Sequence, residues 1–246
     1  MKWRERSSFL LGLHEVARRA ARRPLALVEV GASAGLLLNF DRYAYRYGNG
    51  SAVGEPDSPL LIRCQVNGPT PPPVPPSLPE VVWRVGLDIY PVRLHDPDDV
   101  LWLDALVWAD QVERAARLRI AIEAARRYPP DVVAGDALYK LPELVEACPP
   151  GSVPCVFHCH VLNQWRPAPR EGLSDLLAEQ RSHRQLFVLS LEYPEVYGQQ
   201  SHGVPQMELH LYRNGRRVGC DALARYEPHG EWSEPAPVAQ PPQSKA

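Results

Sequence analysis

The stretch Leu27-Val28-Glu29-Val30-Gly31-Ala32-Ser33-Ala34-Gly35-Leu36-Leu37-Leu38 narrows what this chain can fold into more than any other. An apolar run that ends in small residues and then takes up a helical pattern reads as a buried strand, a tight turn and a helix starting near Gly35. Such a connection belongs to an α/β sheet. Where a buried strand feeds a helix, the first backbone N–H groups and the positive dipole end face the loop, and small residues let a polar ligand reach the main chain. A nucleotide-like ligand suits that geometry, and a tight connection with no ligand is the alternative. A dinucleotide fingerprint needs glycine at 31, 33 and 36, whereas Ser33 and Leu36 stand at two of those positions. That argues against NAD or FAD.

Upstream, Phe9, Leu10, Leu13, Val16, Ala17 and Ala20 recur at helical spacing, and Arg18, Arg19, Arg22 and Arg23 crowd the far end, where cations suit the dipole. Residues 1–24 are predicted as an amphipathic helix with a solvated basic end. Downstream, Asp41–Gly48 alternates aromatic and polar residues, Leu60–Val66 reads as a further short strand, and Asn67–Pro79 carries seven prolines. Prolines at that density favour polyproline II and have no place inside a central strand. Residues 43–80, approximately, are therefore read as a Tyr- and Pro-rich insertion whose proline stretch is exposed.

Val81–Asp88 is the second main strand; Asp96-Pro97 opens a helix, and Asp110 with Glu113 opens another that runs to about Arg127. Arg114, Arg117 and Arg119 on that helix are read as solvated, the alternative being contact with an acidic substrate. Val132–Ala137, Val153–His160 and Gln185–Glu192 supply three more strands, with a helix around Gly172–Ser182 before the last. Met207–Arg213 and Arg216–Ala222 flank Asn214-Gly215, the strongest short hairpin signal. This order predicts one α/β domain over residues 25–232. Its sheet is expected to be open, mostly parallel and twisted, of about seven strands, with helices on both faces and a C-terminal antiparallel β-hairpin. Residues 233–246, rich in Pro, Ala and Gln, have little to bury and are predicted to be disordered.

Composition bears mainly on what to exclude. The formal net charge of −2 over 246 residues gives no global field toward nucleic acid or anionic lipid. Cys64, Cys148, Cys155, Cys159 and Cys220 are odd in number and scattered, which points to reduced thiols in a cytoplasmic protein. No apolar run approaches the roughly 20 residues of a membrane span. Within Val153–His160, His158 and His160 point to one face and Phe157 and Cys159 to the other. With no Cys-x-x-Cys pair and no second cluster, no metal site is predicted there. His158 is placed to orient a substrate or remove its proton, with Glu192 as a carboxylate facing the same cleft; a histidine hydrogen-bonded at a strand end is the alternative.

Glu29 ahead of Gly31, Ser33 and Gly35 resembles the first motif of class I S-adenosylmethionine-dependent methyltransferases, with Ser33 in place of the middle glycine. The resemblance spans residues 25–226 and rests on the order of elements more than on any one motif. It implies S-adenosylmethionine as cofactor, with Glu29, Gly31, Ala32, Ser33 and Gly35 around its methionine and ribose portions. It also implies Asp88 on the ribose hydroxyls, Asp136 and Ala137 at the adenine, and His158 and Glu192 as catalytic groups. Val28–Tyr43 and the segments around Gly86-Leu87-Asp88, Gly135-Asp136-Ala137 and His158 look more closely similar to an uncharacterised bacterial family. The acceptor, small molecule or protein, does not follow from the fold. A non-catalytic nucleoside-binding or scaffolding module on the same fold is the competing expectation.

Overall fold

All six residues of Leu25–Val30 are buried, so this strand needs cover on both faces, the condition of a parallel sheet between two helical layers. The computed structural model describes residues 6–74, 76–180, 185–200, 203–228 and 230–237. In chain order its first elements are α1 (Arg6–Arg19), β1 (Leu25–Val30), β2 (Ala44–Tyr47), β3 (Val53–Gly54), β4 (Leu61–Val66), β5 (Val81–Asp88), α2 (Pro97–Ala105) and α3 (Val112–Arg127). Then come β6 (Val132–Ala134), α4 (Ala137–Glu146), β7 (Val153–Cys159), α5 (Pro167–Glu179), β8 (Leu186–Glu192), β9 (Gln206–Arg213), β10 (Arg216–Tyr226) and β11 (Trp232–Pro235).

The eleven strands among the described residues form one open sheet in the order β3-β2-β4-β11-β10-β9-β8-β7-β1-β5-β6. Its block β6-β5-β1-β7-β8 is parallel throughout. The strand order reverses between β1 and β7, the switch point at which doubly wound sheets leave a crevice beyond the carboxyl ends of their strands. Period-2 alternation divides the core. Leu25, Leu27, Cys155, Phe157, Phe187 and Leu189 share one apolar cluster with α1, α2 and α3, whereas Ala26, Val28, Val30, Val156 and Val188 share another with α4 and α5. Helices therefore cover both faces, as expected.

The sheet is wider than the expected seven strands because the segment read as an insertion belongs to it, and it is mixed instead of mostly parallel, since β8–β9, β9–β10, β10–β11 and β2–β3 pair antiparallel. β2 and β4 pair in parallel, and β4 then pairs with β11, which joins β10. Ser233, placed at the start of a disordered tail by its composition, is fully buried in β11; residues 238–246 lie outside the described residues. Within the proline stretch, Val74 and Leu78 pack against the core. The basic end of α1 is also tied down: Arg18 and Arg19 each bond Glu15 at 2.7 Å, and Arg19 reaches Asp221 on β10 at 2.5 Å.

No helix starts at Gly35. Residues 31–39 form successive turns that end in a short 3-10 helix, Phe40–Arg42. The cause is a set of side chains that take the carbonyls a helix would use: Tyr43 Oη donates to Leu36 O, Arg84 Nη1 to Leu38 O and Tyr45 Oη to Phe40 O. The tyrosines of the alternating segment thus fasten this loop from the buried side. Two further expectations shift by local chemistry. Asp96 caps α2 as predicted, accepting from Asp98 N, but α3 begins at Val112 with Gln111, not Asp110, at its N-cap position, and Gln111 makes no side-chain capping bond. Arg114, read as solvated, is buried beside Gln111.

Gly86 on β5 marks where the 31–35 loop crosses the sheet: a Cβ there would lie 2.6 Å from Ala32 Cβ. Gly86→Val is expected to destabilise the fold by about 1–3 kcal/mol through this overlap, read as a lower urea midpoint; an unchanged midpoint would mean that the loop stands off the strand.

Candidate functional site

At the carboxyl ends of β1 and β5 lies a cavity of about 220 Å³. Parallel register builds it. Glu29 pairs with Gly86, so Asp88, two residues further along β5, comes up on the same face beside Glu29. Both carboxylates line the cavity, together with Ala32 and Ser33 of the loop, Trp102 and Leu103 of α2, Leu106 directly after it, and Gln164 from the turn after β7. Glu29 is buried on the strand, while Trp102 is 63% exposed and stands at the mouth.

The loop between them is held by its own amides. Gly31 N and Ala32 N donate to Leu87 O, Ser33 N donates to Asp88 Oδ2 at 2.8 Å, and Gly35 N donates to Ala32 O. Gly31, Ser33 and Gly35 all have positive φ (70°, 57° and 65°), a backbone course that glycine adopts freely and serine seldom does. Bound inward in this way, these N–H groups are not the open helix N-terminus expected from the sequence. What the loop offers a ligand is its side-chain edge and the carboxylates it approaches. Asp88 Oδ1 in turn accepts from Tyr90 N at 2.9 Å, which fixes the carboxylate at the rim. Arg84, bidentate to Asp41 at 2.8 and 2.9 Å, clamps the far end of the loop to β5.

The other expected residues sit elsewhere. Asp136 caps α4, accepting from Leu138 N at 2.8 Å. Ala137, the first residue of α4, is buried in the opposite core cluster. Gly135 N donates to Asp88 O, so the Asp136 turn adjoins the rim, but neither Asp136 nor Ala137 lines the cavity. His158 pairs in register with Val30, on the sheet face away from Glu29. Its Nδ1 lies 3.0 Å from Glu192 Oε1, and both side chains are at most 2% exposed. Glu192 Oε1 also accepts from Val161 N and Leu162 N at 2.7 and 3.0 Å.

The pair is thus a buried fastening that shapes the turn carrying Gln164 into the cavity, and the expected base is turned away from it. Trp102, Leu106 and Gln164 escaped the sequence reading. The signal for the first was available: α2 carries Val100, Leu101, Trp102 and Leu103 in succession, more apolar positions than one buried stripe can cover.

Burial pushes the Glu192 carboxyl up, but the His158 hydrogen bond and charge and the amides of Leu162 and Val161 outweigh it, leaving Glu192 below its ordinary value of 4.5. An unfolded chain therefore takes up this proton first on acidification. The stability contributed by Glu192 is complete above about pH 4.5 and is lost as pH falls through the lower folded value. Urea midpoints followed downward from neutral pH are expected to drop below this point, and to drop less steeply in Glu192→Gln. Equal slopes for the two proteins would remove Glu192 as a cause.

Residues 4–234 match a family described as an uncharacterized protein conserved in bacteria, DUF2332. The chain belongs to that family. The match spans all eleven strands except the last residue of β11, so the edge strands β2–β4 lie inside the family's extent along with the parallel block. No curated protein matches the chain. Among the described residues, no helix is long and apolar enough to cross a membrane. All five cysteines are free.

Proposed function

We propose that this DUF2332 protein binds S-adenosylmethionine in the cavity between β1 and β5 and transfers its methyl group to an acceptor that enters past Trp102. The observation that carries the reading is the convergence of Glu29 and Asp88 on one cavity at the carboxyl edge of a doubly wound sheet. Two carboxyl groups lining one cavity suit a ligand with a cationic amino-acid end and a diol, because each offers oxygens to charge-assisted or hydroxyl hydrogen bonds. In this reading Glu29 and Ser33 face the methionine portion and Asp88 the ribose. At about 220 Å³ the cavity is smaller than the ~300 Å³ lower end of drug-sized sites, so the adenine lies outside it. Exposed Ile89 and Tyr90, directly after Asp88, offer the apolar surface for it, with the Asp136 turn at its edge.

Methyl transfer needs chiefly an in-line arrangement of sulfonium and acceptor, and most of its acceleration comes from holding that geometry. With His158 turned to the other face, the acceptor is one that arrives without a proton to lose, or loses it to solvent or to Glu29. The same orientation favours a second reading, a module that binds the nucleoside without chemistry. Calorimetry of the full chain with S-adenosylmethionine, S-adenosylhomocysteine, NAD and ATP is expected to show binding of the first two only. Formation of S-adenosylhomocysteine with candidate acceptors separates enzyme from binder. Binding of NAD alone would overturn both readings, and binding of ATP alone would overturn the first and leave a nucleoside-binding module.

A further inference from the structure

On the sheet face away from the cavity, β9 and β10 carry a cluster that methyl transfer does not use. Glu208 and His210, two residues apart on β9, point to one side and are buried. Cys220 stands opposite His210 across the hairpin. The turn alone does not dictate that pairing. From Asn214-Gly215 the ladder begins with Arg213 opposite Arg216 and Tyr212 opposite Arg217. Continued without interruption, this register would set Gly219 against His210 and turn Cys220 to the other face. A bulge at Val218 shifts it by one residue, so that Gly219 meets Leu211 and Cys220 meets His210. Cys220 Sγ then lies 3.7 Å from Glu208 Oε2 and 3.8 Å from His210 Nε2, and those two atoms are 3.1 Å apart.

We infer that Glu208, His210 and Cys220 form a binding site for one zinc-class divalent cation. With bonds of about 2.0 Å to oxygen and nitrogen and about 2.3 Å to sulfur, neighbouring ligands of tetrahedral zinc lie roughly 3.3–3.6 Å apart. The three observed edges depart from that range by a few tenths of an ångström. Thiolate with imidazole and carboxylate selects zinc or cobalt over magnesium or calcium. Gln206 Nε2 donates to Glu208 Oε1 at 2.9 Å and so orients the carboxylate with Oε2 toward the cluster.

In the metal-free protein His210 Nε2 and Glu208 Oε2 share a proton, and His210 Nδ1 faces Arg217 Nη1 at 3.5 Å. The cation takes the place of the Nε2 proton. The imidazole stays neutral by carrying its proton on Nδ1, and the exposed Arg217 side chain swings out toward solvent. The thiol proton of Cys220 is released through its exposed side. The fourth tetrahedral position is left to solvent.

The test is titration of the metal-free full chain with Co²⁺, followed by thiolate-to-cobalt absorption, and then displacement by Zn²⁺. One equivalent is expected to give the absorption band, and Zn²⁺ to abolish it. Outer-shell changes such as Gln206→Ala are expected to weaken binding by about 10–100-fold, and Cys220→Ser by more than this. Arg217→Ala, which frees His210 Nδ1, is expected to bind at least as tightly as the native chain. His210→Gln serves as the second ligand variant, with circular dichroism confirming the fold of each. No band with the native chain, or Zn²⁺ affinity equal in the native, Cys220→Ser and His210→Gln proteins, would overturn the site. The outcome does not depend on S-adenosylmethionine binding, so either inference can fail alone.

Discussion

Glu192→Ala is expected to lower the folding stability by about 3–5 kcal/mol, since each buried donor left without its acceptor costs about 1–3 kcal/mol. The loss is large because one carboxylate oxygen serves three groups: His158 Nδ1 at 3.0 Å and the amides of Val161 and Leu162 at 2.7 and 3.0 Å. Alanine leaves all three in a region with almost no access to water. Glu192→Gln keeps an acceptor and is expected to lose less. Because the released amides open the turn that carries Gln164, the alanine variant is also expected to bind S-adenosylhomocysteine more weakly. Urea unfolding gives the first quantity and calorimetry the second. A stability loss under about 1 kcal/mol, the range of exposed ion pairs, would mean that water reaches the pair.

Asp88→Ala is expected to raise the dissociation constant for S-adenosylhomocysteine by about 10²–10⁴-fold. Two hydrogen bonds from ribose hydroxyls to a charged acceptor contribute about 1.5–3 kcal/mol each, and about 1.4 kcal/mol is a factor of ten. The same substitution releases Ser33 N and Tyr90 N, so the loop loses its anchor as well as the ligand its acceptor. Asp88→Asn retains one acceptor oxygen and is expected to fall between the two. Unchanged affinity in a folded Asp88→Ala protein would remove the carboxylate from the ligand contacts.

What the sequence makes legible here depends on how far the deciding contact lies. β1, β7 and β8 are buried on both faces, so each reads as a mainly apolar run with only one or two polar residues, and Asn214-Gly215 and Asp96-Pro97 act within a few residues of the structures they set. The course of residues 31–42 is decided by Tyr43, Tyr45 and Arg84 reaching its carbonyls, and an apolar run of three leucines carries no trace of that. The edge strands β2 and β4 join the sheet only because β11 returns beside β4 from the far end of the chain. Glu29 and Asp88 share a cavity because both stand near the carboxyl ends of neighbouring parallel strands. His158 lies on the other face because its parity is fixed by its pairing with Val30, which spacing along the chain does not reveal. Cys220 depends on a single bulged residue in the same way.

The most direct measurement is a crystal structure of the full chain grown with S-adenosylhomocysteine. Electron density for the amino-acid and ribose portions between Glu29 and Asp88, with the adenine over Ile89, is the expected result. Density for the ligand anywhere else, or a cavity closed by its own side chains while the ligand stays in solution, would contradict the assignment.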